Sequence, residues 1–379
     1  MGLTTTAPQA KIASPLDYVV KTLDNRKEER CSYSFEMLTK LALMAVGAKA
    51  ENVLAASHWI HDCQDVLLAL GFRDRQGRRR LPAQATLYRF FWMLETNIEG
   101  QERSLHQWAA DVLKARRPSG ELVRVGMDGK RVRGSKRSRQ GDSAVWLLSC
   151  FMHGLGLTLL QQRVSADEAV AGKNLLGQCA GLDGIPWLFT GDAAFAERPL
   201  METVLEKRGM YLLALKDNLS EVKHYAEWAF GLERTQTDEV RSGEVWIREV
   251  ETRPATPELT HAFPGAAQFI RCLRTVVRKD TGEIRFQEAE YGLTSSLAPA
   301  EVLYTYWRGH WEIENRSHHK RDTVWREDAC RTRKGAQAFA ALRNLLPSLF
   351  HLNGPEQVLR QARRCSVQPQ RLLSLLGVT

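Results

Sequence analysis

The sequence predicts a mixed α/β protein. Three observations carry that reading: helical spacing of apolar residues through the first hundred or so positions, a change to short apolar runs near residue 121, and a return to helical spacing after residue 299. A chain of 379 residues is too long for one minimal domain and suits two or three. Its hydrophobic share of 44% is enough to build a full core.

Residues 1–15 are small and polar and read as a flexible tail. Residues 16–115 read as a helical N-terminal domain, in which Leu38, Leu41, Ala42, Ala45 and Val46 recur at helical spacing, then Val53, Leu54, Trp59 and Ile60. A basic turn, Arg73 to Arg80, interrupts the pattern, and Pro82 opens a new helix through Gln84, Tyr88 and Arg89. Two helices around that turn fit a helix-turn-helix presenting Gln84, Tyr88 and Arg89 to nucleic acid; a plain helical hairpin fits as well.

From residue 121 the period shortens. Leu122 to Met127, 144–152 and 157–164 read as three strands of an antiparallel meander, with His153-Gly154-Leu155-Gly156 as a tight connector. A helical stretch, 166–180, precedes a fourth strand at 185–191. Ala196 to Arg208 is a helix stopped by Gly209, Tyr211 to Lys216 a fifth strand, and Asn218 to Phe230 another helix. That order is the element order of an RNase H-like sheet, so 120–231 is read as the first part of such a core. Residues 232–296 alternate charged with β-branched or aromatic residues around the turn Asp280-Thr281-Gly282, and read as a β-rich insertion. Residues 297–335 return to helix as the second part of the core, and 336–379 form a helical, basic C-terminal region.

Among 44 acidic residues, three stand out by position. Asp128 ends the apolar run that begins at Val125, and Asp192 ends the run Ile185 to Gly191. Functional side chains gather at strand ends in open sheets, and pairing of the first strand with the fourth would set these two side by side. Glu314 lies on the later helix, with His310, Ser317, His318 and Arg321 at helical spacing on the same stripe. A lone strand-end aspartate is usually a turn-former and a lone helical glutamate usually solvated; the joint occurrence raises the three together. Clustered carboxylates repel unless cations occupy the site, and magnesium or manganese takes oxygen ligands. Two ions about 3.5–4 Å apart would suit phosphodiester chemistry.

Net charge is +9, and its distribution says more than its total. Lys130, Arg131, Arg133, Lys136 and Arg137 follow Asp128 directly, with no acid among them, and His310 and Arg321 flank Glu314. These are the candidate phosphate-binding residues, and double-stranded DNA the expected partner. A second basic region runs from Arg331 through Arg343 to Arg364. The seven cysteines form no C-x-x-C pair and read as thiols of a reducing cytoplasm. His318, His319 and Cys330 match no zinc spacing. There is no phosphate-binding glycine loop and no Gly-x-Ser-x-Gly elbow. No apolar run reaches the roughly 18 residues that would cross a bilayer, and no signal peptide opens the chain. The expected location is the cytoplasm, on the bacterial nucleoid.

The motifs resemble the DDE transposases of bacterial insertion sequences, in particular the H-repeat-associated (ISAs-one type) group of the IS-four-like superfamily. Asp128-Gly129-Lys130 with Arg133-Gly134-Ser135 resembles the first catalytic block, and Gly191-Asp192-Ala193 with 211–218 the second. Arg308 to Asn315, followed by Arg326-Glu327-Asp328 and the run to Gly335, resembles the third. Asp24 to Lys27 and Pro82 to Arg89 are similar to that group's N-terminal region. The resemblance implies a catalytic triad of Asp128, Asp192 and Glu314 with magnesium or manganese as cofactor. Strand cleavage and strand transfer at element ends, performed by a homodimer on DNA, is the expected reaction. The wider superfamily places Tyr, Arg and Lys around the Glu, where this chain has Trp307, His310 and Arg321. A recruited or inactive DNA-binding protein of the same fold, or an RNase H-like nuclease, are the rival expectations.

Overall fold

A computed structural model describes residues 13–23, 26–117, 120–136, 144–165, 167–216, 222–224, 226, 235–241, 243–332, 335–354 and 357–377. Most of the expected tail, most of the expected helix over 218–230, and Arg137 lie outside the described residues.

Nine strands form one sheet in the order β3-β2-β1-β4-β5-β9-β8-β7-β6. β1 (Val123–Val132), β2 (Val145–Met152) and β3 (Leu157–Arg163) are the antiparallel meander. β4 (Trp187–Gly191) returns parallel to β1, and β5 (Met210–Leu215) parallel to β4. All five residues of β4 are buried, as expected of a central strand covered on both faces. The stretch read as an insertion supplies β6 (Thr235–Arg241), β7 (Glu244–Pro254), β8 (Gln268–Arg278) and β9 (Ile284–Thr294). It lengthens the same sheet, because Tyr291–Thr294 of β9 pair with Leu212–Leu215 of β5.

The N-terminal helices include α2 (Phe35–Gly47), α3 (Val53–Asp62), α5 (Gln84–Thr96) and α6 (Ile98–Arg116). Ser34 accepts a hydrogen bond from the Met37 amide and Asn52 one from the Ala55 amide, fixing the starts of α2 and α3. These helices share a core with α12 (Ala336–Leu352), which is buried along nearly its whole length. Phe91 stacks on Phe339 with ring centroids 4.3 Å apart. Glu95 accepts from the Gln337 and Ala338 amides and so caps α12 from another part of the chain. The two ends of the sequence are thus packed together against the sheet.

Between them lies a buried ionic knot. Glu327, fully enclosed, accepts from the Arg321 guanidinium at 3.0 Å, and Arg343 stands 3.9 Å away. Both guanidiniums hold its carboxyl below the usual range although burial pushes the other way.

Candidate active site

The register of β1 against β4 sets Gly126 beside Thr190, and two residues further along each chain stand Asp128 and Asp192. Asp192 follows the last residue of β4, where its Oδ1 accepts from the Ala194 amide at 2.9 Å. Asp128 Oδ1 accepts from the Gly129 amide at 2.8 Å, and Oδ2 lies 3.2 Å from His318 Nδ1. Burial alone would raise Asp128, but the His318 contact, with His310 and the Gly129 amide, holds its carboxyl below the ordinary value. Lys216, at the end of β5, brings Nζ within 3.8 Å of Asp192 Oδ2.

Glu314 faces the same cleft. Asp128, Asp192, Lys216, His310, Trp311 and Glu314 all line it, together with Glu288 and Glu290 of β9. Glu314 is exposed on a π-helical segment, Ile313–His318, set between α10 (Ala300–Gly309) and α11 (His319–Trp325). A π-turn accommodates one extra residue, roughly 100° of helix rotation. The stripe expected from regular helical spacing is therefore broken. His310 stays in the cleft, whereas Arg321 turns inward, fully buried, donating to Gln161 and Glu327.

Arg321, expected to bind phosphate, is thus enclosed instead, tying α11 to Gln161 of β3 and to Glu327. Lys130 also departs from its expected role. It is 7% exposed, and its ammonium binds both oxygens of Asp322 at 2.6 and 2.7 Å, with Asp328 at 3.6 Å. Side chains alternate along a strand, so Lys130 follows Asp128 on one face and meets α11 there. Arg131 points the other way and lies exposed over the Trp146 ring, 4.6 Å from its centroid. Arg133 and Lys136 are exposed, Arg133 at 3.6 Å from Asp328. Arg343, counted in the second basic region, is internal and donates to the Glu51 carbonyl. Gln84, Tyr88 and Arg89 are all exposed on α5, far along the chain from the carboxylates.

A fourth acid escaped the sequence reading. Glu168 opens α7 (Glu168–Gly177), whose first turn is capped by Asp167. A Cβ at position 129 would lie 2.1 Å from Glu168 Oε1 and 2.7 Å from Trp146 Nε1, so Gly129 lets this carboxylate close over β1. Burial, then the charges of Asp192 and Asp128, push Glu168 up to about 7. The only cue in the sequence was its place just after the third strand, which does not separate it from any first-turn glutamate. Lys216 had the better signal, since it ends an apolar run just as the two aspartates do.

The donor chemistry suits a divalent cation: hard carboxylate oxygens, and an excess of negative charge registered in Glu168. Among the described residues, however, no three His, Cys, Asp or Glu side chains are gathered closely enough to hold one ion. The β1–β4 register brings the aspartates to neighbouring positions, and Glu314 lines the same cleft.

A family model described as "Transposase DDE domain" matches residues 127–349, which span Asp128, Asp192 and Glu314. The chain belongs to this DDE transposase family. The DDE chain is 25% identical over 342 residues to "Putative transposase YncI" of Escherichia coli O157:H7, covering 86% of this chain and 84% of that one. It is 26% identical over 238 residues to "H repeat-associated putative transposase YhhI" of Escherichia coli strain K12, covering 58% and 62% of the two chains. Among solved structures, a piggyBac transposase synaptic complex with hairpin DNA aligns with TM-score 0.48 and 10% identity, over 96% of this chain and 78% of that one. No described helix of the DDE chain is long and apolar enough to cross a membrane.

Proposed function

We propose that this DDE-family chain cleaves and rejoins DNA at the ends of a mobile element, using Asp128, Asp192 and Glu314 on an RNase H-like core. The observation that supports this most directly is the parallel pairing of β1 with β4, which leaves the two aspartates at neighbouring positions, facing one cleft with Glu314. Magnesium or manganese, two ions per site, would be held by Asp128 and Asp192 with Glu314 and would activate the attacking oxygen and stabilise the leaving one. The chain's own residues prepare the site. The Gly129 and Ala194 amides each fix one carboxylate oxygen, and the other oxygens of Asp128 and Asp192 face His318 at 3.2 Å and Lys216 at 3.8 Å. Glu168 adds negative charge on the β1 side of the pair.

DNA phosphates would meet the exposed Arg131, Arg133 and Lys136, while Gln84, Tyr88 and Arg89 offer an exposed polar and aromatic face on α5. Two element ends must be held at once, which favours a homodimer on double-stranded DNA. Asp128→Asn, Asp192→Asn and Glu314→Gln are each expected to abolish strand cleavage in a supercoiled-plasmid nicking assay with manganese, with DNA binding retained in a gel-shift measurement. Nicking that persists in any of the three overturns the assignment; a wild-type chain that binds DNA and never nicks it favours a recruited, non-cleaving DNA-binding protein.

A further inference from the structure

Behind His310 runs a short buried chain of polar groups. His310 Nδ1 lies 3.1 Å from Thr190 Oγ1, and the same oxygen lies 3.2 Å from His153 Nε2. Thr190 is 1% exposed and His153 2%. Gly126 makes the room: a Cβ there would stand 2.7 Å from His153 Nε2 and 3.3 Å from Thr190 Oγ1. A hydroxyl has one proton to give, and Thr190 has two acceptors within reach, the His310 ring nitrogen and the Val125 carbonyl at 3.4 Å.

We propose that His153 and Thr190 are positioning residues that hold His310 as the tautomer with its proton on Nε2, so that it presents an N–H donor to an oxyanion in the carboxylate cleft. The direction of the chain follows from what each group can satisfy. His153 Nδ1 is buried without a partner. An unpaired lone pair is tolerated better there than an unpaired N–H, so the His153 proton sits on Nε2 and points at Thr190. Thr190 accepts it and donates its own O–H to the nearer acceptor, His310 Nδ1, whose lone pair stays unprotonated. The proton of His310 is then on Nε2, the nitrogen on the side of the ring away from Thr190. The surroundings agree. Asp128, Asp192 and Glu314 act electrostatically on the His310 ring against one cation, Lys216, and in such negative surroundings an N–H is favoured over a lone pair. Burial, then the neighbouring His310, Arg124 and Arg316, depresses His153 to about 3, so it is a neutral link.

The inference rests on the DNA-cleavage reading for its ligand, a phosphodiester oxygen, but not for its geometry. The test is a long-range proton–nitrogen correlation spectrum of the full chain labelled with 15N-histidine, with His310 assigned by its loss in His310→Gln. A protonated Nε2 and a bare Nδ1 are expected; a proton on Nδ1 overturns the proposal. In the nicking assay, Thr190→Val keeps the volume and loses the hydroxyl, and kcat should fall about tenfold with KM little changed. Thr190→Ser should recover most of it. If valine works as well as threonine while serine does not, Thr190 acts by packing alone and the proposal fails. A wild-type chain that never nicks DNA removes the cleavage reading, while the tautomer in the spectrum still decides the wiring.

Discussion

Replacing Glu168 by glutamine should make the folded chain more stable and the site poorer. Its carboxyl is carried from an ordinary 4.5 to about 7 by burial and by Asp192 and Asp128. Linkage converts that displacement to ~3 kcal/mol, and partial access to solvent reduces it to ~1–2 kcal/mol. The sign is fixed by proton counting. Below pH 4.5 the folded and unfolded chains both carry the proton and the residue contributes nothing. As pH rises toward about 7 the unfolded chain has released a proton that the folded chain still binds, so stability falls. Above about 7 the full cost of a buried charge beside Asp192 and Asp128 remains. Urea midpoints for wild type and Glu168→Gln, taken from pH 4.5 to 8.5, should therefore coincide at the acid end and separate by ~1–2 kcal/mol at the alkaline end, the variant being more stable. Saturating magnesium should narrow the gap by stabilising the wild type more. A gap that does not change with pH, or a variant less stable at pH 8, would mean that burial and the two aspartates do not hold the proton on Glu168.

Two other outcomes follow from the same geometry. Glu327→Gln strips the counter-charge from Arg321 and Arg343 and should cost ~3 kcal/mol in denaturant unfolding at neutral pH. Because the folded Glu327 carboxyl is depressed, its contribution is present above the ordinary carboxylate range and is lost as pH falls through its folded value, so the deficit should shrink in acid. Arg131→Ala combined with Arg133→Ala should flatten the dependence of log affinity on log salt for duplex DNA by ~1.8, two phosphate contacts at ~0.9 each; an unchanged slope would remove both from the DNA surface.

Much of the sheet was legible because its signals are local. Apolar runs bounded by Gly and charged residues marked β1, β2, β3, β4 and β5, and Asp192 does follow the end of β4, but Asp128 lies inside β1, because the basic run after it continues the strand to Val132 instead of ending it. What failed was anything that depends on which face a side chain takes. Lys130 and Arg131 are adjacent in a basic run, yet strand alternation sends one beneath α11 and the other to solvent. Arg321 sits at a helical multiple from Glu314, but the π-turn shifts the phase and drives it inward. Arg343 looked like part of a basic surface because its partner, Glu327, is 16 residues away and its burial comes from helices at the other end of the chain. Glu168 reaches the aspartates only through the packing of α7 on the sheet, which no spacing rule encodes.

The union of the first helices with α12 has a bearing on how the molecule is made. Phe91 waits for Phe339, and Glu95 for the amides of Gln337 and Ala338, so the early helices leave the ribosome long before their partners are translated. The segment bearing Glu314 leans on α12 through the Ser317 hydroxyl on Asn344 and the Arg316 carbonyl on His351. A nascent chain halted before residue 336 would carry all three acids and still lack the scaffold that orients the last of them. On the proposed cleavage reading, competence to cut would be withheld until synthesis has passed α12, and such late, long-range closure is slow to form.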